Sequence, residues 1–243
     1  MDYQNTFKRY EIKYLLTGQQ QRELYQWMLP FMRSDQFGKS TICNIYYDTP
    51  DRRLIRTSLE GPCYKEKLRV RSYGTAAEDS TVFVELKKKY KGIVYKRRMD
   101  METRQARNYL DHHVRLGRPS QISKEIDYFM KLYQTLGPSV FLSYDREAFA
   151  GIQDETFRMT FDRNILMRTS DMDLTKGAYG EALLEEDLVL LEIKTAFGIP
   201  QWLLQFLSGH HIYKTSFSKY GYAYQKLILP KLITEDGGKR YVA

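Results

Sequence analysis

The chain has 243 residues, with 38 Lys+Arg against 30 Asp+Glu, for a formal net charge of +8. That length suits one large domain or two small ones and buries a sizeable core without covalent staples. Its only cysteines, Cys43 and Cys63, form no Cys-x-x-Cys, which argues against a disulfide framework and a structural zinc site.

Met1 to Thr6 lacks the basic and apolar segments of a signal peptide, so a reducing, cytoplasmic compartment is expected. Phe7 to Leu16 alternates like a strand, and Thr17 is placed to cap a helix reaching about Met32. Thr41 to Tyr47 is rich in strand formers and ends in the turn Asp48-Thr49-Pro50-Asp51. A short helix is expected over Asp51 to Ser58, and a strand over Tyr64 to Tyr73. A loop follows from Gly74 to Ser80, then a hairpin of Thr81 to Lys89 and Gly92 to Asp100. Helices are expected over Glu102 to His113 and over Gln121 to Leu136, the second stopped by Gly137-Pro138. Strands return at Val140 to Phe149, Thr156 to Asn164, Arg168 to Asp173 and Asp187 to Ala196. The longest uncharged stretch, Thr195 to Tyr213, is broken by Gly198, Pro200 and a His pair, and makes a poor membrane span. Pro200 suits the start of a helix to about Leu207. A last helix is expected over Phe217 to Leu229, stopped by Pro230, and then a loose polar tail over Thr234 to Ala243. No linker or repeat divides the chain, so a single domain over 1–243 is expected, with its core at about 7–229.

The strands carry the functional signal, because side chains alternate faces with period two. One face of Tyr64 to Tyr73 bears Lys65, Lys67, Arg69 and Arg71; the other bears Glu66, Leu68, Val70 and Ser72. The next strand sets Phe83, Glu85, Lys87 and Lys89 against Val84 and Leu86, and its partner places Lys96 and Arg98 on one face. The first strand sets Arg9, Glu11 and Lys13 against Tyr10, Ile12 and Tyr14. Arg158, Thr160 and Asp162 oppose Met159 and Phe161, and Leu190, Glu192 and Lys194 oppose Val189, Leu191 and Ile193. A single half-charged strand is an ordinary solvated edge. Six of them, with Arg146, collect thirteen cations against four carboxylates, a local excess above the whole-chain +8.

Such a face repels itself unless an anion occupies it. An α+β fold is expected: a closed antiparallel β-barrel with a cationic lumen, its apolar faces turned outward under helices. Arg presents a fork to phosphate oxygens and Lys a point charge. A polyphosphate fits that lumen better than a nucleic-acid duplex. The carboxylates among the cations, Glu11, Glu85 and Glu192, are candidates for holding Mn²⁺ or Mg²⁺, with ion pairing to their neighbours as the alternative. Other chemistries find no support. The histidines occur as His112-His113 and His210-His211, without metal-ligand spacing, and no phosphate-binding Gly-rich loop or Gly-x-Ser-x-Gly elbow is present.

Arg9-x-Glu11-x-Lys13, Leu68-Arg69-Val70-Arg71, Phe83-Val84-Glu85-Leu86-Lys87, Tyr95-Lys96-Arg97-Arg98, Tyr144-Asp145-Arg146-Glu147-Ala148-Phe149, Leu191-Glu192-Ile193-Lys194 and Ser216-Phe217-Ser218-Lys219-Tyr220 follow one another along the chain. In that order they resemble the VTC domain, the polyphosphate polymerase domain of the triphosphate tunnel metalloenzymes, and its bacterial stand-alone relatives above all. The related CYTH hydrolases open with Glu-x-Glu-x-Lys; Arg9 departs from that pattern and favours the VTC branch.

The resemblance implies transfer of the γ-phosphoryl of ATP to a growing inorganic polyphosphate. It implies catalytic roles for Lys13, Arg69, Arg71, Lys96 and Glu192. Phosphate binding would fall to Lys13, Arg69, Arg71, Lys87, Lys96, Arg98, Arg146, Arg158, Lys194 and Lys219. Glu192, with Glu11 or Glu85, would hold the metal. By analogy it adds a separate membrane protein as partner, reached from the cytoplasmic face. Two other functions remain open: a tripolyphosphate or nucleoside triphosphate hydrolase of the same fold, and a non-catalytic module binding polyphosphate or nucleic acid. Glu192 among cations weighs against the module, since a pure anion binder gains nothing from a buried carboxylate.

Overall fold

The computed structural model describes residues 10–91 and 93–235. The expected positions of Arg9, the start of the first strand and the end of the tail lie outside them. The chain runs β1 (Tyr10–Thr17), α1 (Gly18–Met28), β2 (Met32–Asp48), α2 (Arg53–Leu59), β3 (Tyr64–Tyr73), β4 (Thr81–Tyr90), β5 (Ile93–Glu102), α3 (Thr103–Asp111) and α4 (Gln121–Leu132). It continues through β6 (Gly137–Gly151), β7 (Arg158–Arg168), β8 (Glu181–Ala182), β9 (Leu188–Thr195), α5 (Gln201–Gly209), β10 (Lys214–Thr215), α6 (Lys219–Ala223) and α7 (Leu229–Glu235).

The strands form one antiparallel sheet in the order β10-β1-β9-β7-β6-β2-β3-β4-β5, with β8 alongside β7. Alternation explains its outer layers. Leu68, Val70, Val82, Val84 and Leu86 face outward and pack under α3 and α4 through Ala106, Leu110, Ile126 and Phe129. Leu16, Met159, Phe161, Val189, Leu191 and Ile193 pack under α1 and α5 through Leu24, Leu203 and Phe206. Each buried Leu or Phe contributes about 1.5–3 kcal/mol to holding a helix on the sheet.

Two features of the expected barrel change. The sheet is not closed: among the described residues β5 does not pair with β1. The short strand β10 occupies part of the free edge of β1, pairing Thr215 with Lys13 and Lys214 with Tyr14. Nor do all helices lie outside. The C-terminal segment packs Phe217, Tyr220, Ala223, Tyr224 and Ile228 against Ile42, Leu142, Tyr144 and Leu190, which lie on the inward faces of the strands. One end of the interior is therefore an apolar core, and the charged face is confined to the remainder.

Local boundaries follow physical causes. Thr17 caps α1 in a reciprocal box: its hydroxyl accepts from the Gln20 backbone N–H at 3.2 Å, and its own N–H donates to Gln20 Oε1 at 2.9 Å. That helix stops at Met28, short of the expected Met32, because Met32 pairs with Gly151 as the first residue of β2. Helix α4 stops at Leu132, four residues early. Gly137 is already extended opposite Asp48, and Tyr133 leaves the helix to donate to Glu66 Oε1 at 2.8 Å. The expected strand over Arg168 to Asp173 is a loop. Arg168 ends β7, and its guanidinium donates to the carbonyls of Asp171, Asp173, Gly177 and Tyr179, winding the chain around itself.

Pro230 does not stop the last helix. A π-helical turn at Tyr224–Ile228 precedes it, with the Leu229 N–H bonded to the Tyr224 carbonyl, and α7 continues beyond. Proline supplies no N–H to the ladder, and the wider turn ahead of it absorbs the mismatch. No helix among the described residues is long and apolar enough to cross a membrane.

Candidate functional site

The inward faces of β1, β2, β3, β4, β5, β6 and β9, together with the start of α6, enclose a cavity of about 450 Å³. Strand register builds its walls. On β1 and β9, Lys13 stands directly opposite Glu192 and Glu11 opposite Lys194, a checkerboard of charge. On β3, β4 and β5 one rung is Arg69–Glu85–Arg98 and the next is Lys67–Lys87–Lys96. In the first rung Glu85 pairs with both arginines; the second is three lysines abreast.

Glu192 is buried and held by three cations: Lys13 at 3.2 Å, Lys219 at 3.2 Å and Arg146 at 3.1 Å. Burial alone would raise its pKa, but Lys219, Lys13 and Arg146 together hold it well below the ordinary range. Arg146 also makes a two-pronged bond to Asp162, at 2.6 and 2.7 Å, and Lys219 pairs with the same carboxylate. Asp162 is fully buried, so it fixes both cations instead of meeting a ligand. Glu85, only 1% exposed, takes Arg69 at 2.8 Å, Arg98 at 2.7 Å and Lys96 at 2.7 Å. Arg71 is aimed by Asn44 Oδ1 at 2.9 Å and the Tyr144 hydroxyl at 3.1 Å. Arg69 donates to the Tyr46 hydroxyl at 2.8 Å.

The cations exceed what these carboxylates can serve. Lys67 is pushed down to about 8 by burial, with Lys87 and Lys65 adding to the effect. Burial pushes Lys96 down to about 8 as well, outweighing Glu85. Burial would raise the Tyr46 phenol, yet Arg69, Arg71 and Lys67 draw it down to about 8. A site whose lysines are pressed to release protons, and whose tyrosine is drawn towards an anion, is short of negative charge.

Among the expected site residues, Lys13, Arg69, Arg71, Lys87, Lys96, Arg146, Lys194, Lys219, Glu11, Glu85 and Glu192 line this cavity. Arg98 reaches it through Glu85. Arg158 does not line it: at the far end of β7 it pairs with Asp35. Tyr46, Lys67 and Tyr144 line it as well, with no site role expected of them from the sequence. Lys67 shares the inward parity of Arg69 and Arg71, so its signal was present. The two tyrosines carried no charge to mark them.

The donor set bears on a metal. Glu11 and Glu192 face one another across the Lys13 ammonium, at 3.3 and 3.2 Å from it. Glu11 is held down at about 2: burial opposes ionisation, and Lys87 and Lys13 overcome it. These are hard, ionised oxygen donors of the kind a divalent ion takes. Among the described residues no group of three His, Cys, Asp or Glu could hold a metal unaided. Glu11 and Glu192 are thus the two residues that would hold a divalent ion. Glu85 stands apart from this pair: it is held by Arg69, Arg98 and Lys96 and, among the described residues, shares no cation with Glu11 or Glu192.

Known structures share this fold of an antiparallel sheet flanked by helices. A candidate adenylate cyclase from Bacillus halodurans superposes with a TM-score of 0.52 at 15% identity, over 86% of this chain and 92% of that one. HpAC1 from Hippeastrum, a candidate adenylyl cyclase with a dominant triphosphatase activity, superposes with a TM-score of 0.52 at 14% identity, over 89% of this chain and 95% of that one. No curated protein matched the sequence. The family model of the VTC domain matches residues 8–228, and the chain belongs to that family. Membership of this family supports a function on triphosphate or polyphosphate and implies dependence on a divalent metal.

Proposed function

We propose that the protein is a polyphosphate polymerase that transfers the γ-phosphoryl of ATP to an inorganic polyphosphate and releases ADP. The observation that carries the reading is the Lys67–Lys87–Lys96 rung facing Glu192 and Lys13 across one cavity. A row of lysines suits a chain of phosphates, and the buried Glu192 opposite would hold a divalent metal that supplies further positive charge.

Phosphoryl transfer asks the protein for alignment and charge stabilisation more than for covalent help. Arg69 and Arg71, fixed by Glu85, Asn44 and Tyr144, present preorganised forks to the phosphoryl group in flight. Lys67, Lys87 and Lys96 hold the phosphates on one side of it; Lys13, Lys194, Arg146 and Lys219 hold those on the other. Ion pairs with Asp162 keep Arg146 and Lys219 from collapsing into the cavity when it is empty. Mn²⁺ or Mg²⁺ on Glu192 and Glu11 would supply further neutralisation of phosphate charge. Substrates are thus ATP and inorganic polyphosphate. A separate membrane protein as partner, and a cytoplasmic location, rest on family analogy alone.

A triphosphatase is the second reading, favoured by the activity described for HpAC1, with water in place of the acceptor phosphate. Incubation of the purified protein with ATP and Mn²⁺, followed by gel sizing, decides between them. A ladder of acid-stable chains is expected. Free phosphate without chains would establish the hydrolase, and binding without turnover the non-catalytic module.

A further inference from the structure

The inward face of β3, β4 and β5 continues beyond the cavity. Its rungs run from Arg71–Phe83 through Arg69–Glu85–Arg98 and Lys67–Lys87–Lys96 to Lys65–Lys89, next to the hairpin tip. Arg71 to Lys65 covers six residue steps, about 20 Å of extended strand. That exceeds the reach of three linked phosphates. Neither Lys65 nor Lys89 lines the cavity described above.

Charge along this face is not balanced. Lys87 has Glu11 at 3.5 Å and Lys96 has Glu85 at 2.7 Å. Among the described residues, no carboxylate lies within ion-pair distance of Lys65, Lys67 or Lys89. Lys65 donates one hydrogen bond to the Ser58 carbonyl at 3.1 Å, leaving two of its three donors. Burial, and then Lys89 and Lys87, hold Lys65 below its ordinary pKa. Like charges directly opposite on paired strands destabilise a sheet. The outer face of the same strands shows the contrast: Lys88 stands opposite Glu66 and reaches Glu125 at 4.0 Å. The outward Lys88 has a carboxylate within ion-pair distance, while among the described residues Lys65, Lys67 and Lys89 on the inward face have none.

We propose that Lys65 and Lys89 form an outer subsite for a linear polyphosphate, continuing the cavity towards the β4–β5 hairpin, so that the protein grips chains longer than three phosphates. This rests on the reading of the cavity as a phosphate-chain site. It adds a direction, since the chain leaves the Arg69–Arg71 centre along the lysine rungs. The additional contacts are multivalent with those in the cavity, so they raise affinity for long chains only.

The test compares tripolyphosphate, a long-chain polyphosphate and a single-stranded oligonucleotide by calorimetry, in wild type and in the double variant Lys65→Ala/Lys89→Ala. Wild type should bind the long chain about tenfold more tightly than tripolyphosphate, and the oligonucleotide weakly. The double variant should lose that preference while binding tripolyphosphate within twofold of wild type, which also reports that it folds. Its log–log salt slope for the long chain should be shallower by about 1.4, at about 0.7 per lost contact. Lys88→Ala should match wild type throughout. Equal losses for both phosphate ligands, an unchanged long-chain affinity, or equally tight oligonucleotide binding would each overturn the subsite. Failure of wild type to bind tripolyphosphate at all would instead remove the cavity reading beneath it.

Discussion

Glu192 balances the charge of three cations, and the proposed metal role falls on the same side chain. Its three cationic neighbours lose their common partner in Glu192→Gln, although shape is kept. Metal-dependent turnover should fall at least a hundredfold, since a neutral amide attracts a divalent cation poorly. Tripolyphosphate affinity should hold or rise, because Lys13, Arg146 and Lys219 are released towards the ligand. Melting temperature without ligand should drop and recover when tripolyphosphate is added. Turnover within twofold of wild type at limiting Mn²⁺ would take Glu192 out of the metal role.

Lys67 and Lys96 are expected to carry much of the pH dependence of the site. Both sit near 8 in the folded chain, against an ordinary value of 10.5. Between those values the folded state binds fewer protons than the unfolded one. The ligand-free protein should therefore gain stability as pH rises through this window. Phosphate affinity should move the other way, weakening from pH 7 to 9 as both lysines discharge. The double variant Lys67→Arg/Lys96→Arg keeps its charge in this range and should flatten the profile of tripolyphosphate binding against pH. A profile of unchanged steepness would assign the titration elsewhere.

At the scale of elements, Asp48 ties three pieces together. Its carboxylate accepts from the backbone N–H groups of Thr49 and Leu54, both at 2.8 Å, and of Ile55 at 3.0 Å. The Tyr220 hydroxyl donates to it at 2.9 Å. Asp48 thereby starts α2 and docks α6, which carries Lys219 into the cavity. Sequence reading recognised the turn after β2 but not this second attachment, because Tyr220 is 172 positions away. Asp48→Ala should cost about 2–3 kcal/mol, or about 6 °C of melting temperature for a chain of this size. Loss of a degree or less in a thermal melt would show that the helix starts hold without it. In the outer layer, Leu86 is fully buried under α3 and α4. Leu86→Ala should cost about 2–5 kcal/mol by cavity formation, with tripolyphosphate affinity unchanged in the surviving folded fraction, because Leu86 points away from the phosphate face.

Across the whole molecule, the open seam between β1 and β5 couples binding to stability. Lys13 and Lys194 lie on the β1–β9 wall, and Lys67 and Lys96 on the β3–β5 wall. Among the described residues the salt bridge that joins these walls is Lys87–Glu11, at 3.5 Å. A polyphosphate spanning the cavity adds cross-links where backbone pairing is missing. At a concentration of a hundred times its Kd it should add about 2.7 kcal/mol. Hydrogen-exchange protection should increase at β1 and β5, on either side of the seam. Protection rising only in α3 and α4 would place the ligand outside the cavity.

The period-two alternation of Lys and Arg with Val, Leu and Ile determined most of the fold's logic. It set which face of β3, β4, β7 and β9 turns inward, since a one-residue slip would bury the charges under helices. It also brought Arg69, Arg71, Lys96 and Glu192 into the set that shares one cavity. Tertiary structure alone decided the rest. Among the described residues β1 and β5 do not pair, and β10, two residues with no sequence signature, takes part of the β1 edge. Arg158 has the inward parity of β7 and stands opposite Lys194, yet its guanidinium pairs with Asp35 and does not line the cavity, because parity specifies a face and not the partner a long side chain finds. Glu85 became an organiser of cations because Arg69 and Arg98 fell opposite it on both sides. Tyr46 and Tyr144 entered the site through contacts with Arg69 and Arg71. Such contacts depend on register between strands, and period two in a single strand carries no information about register.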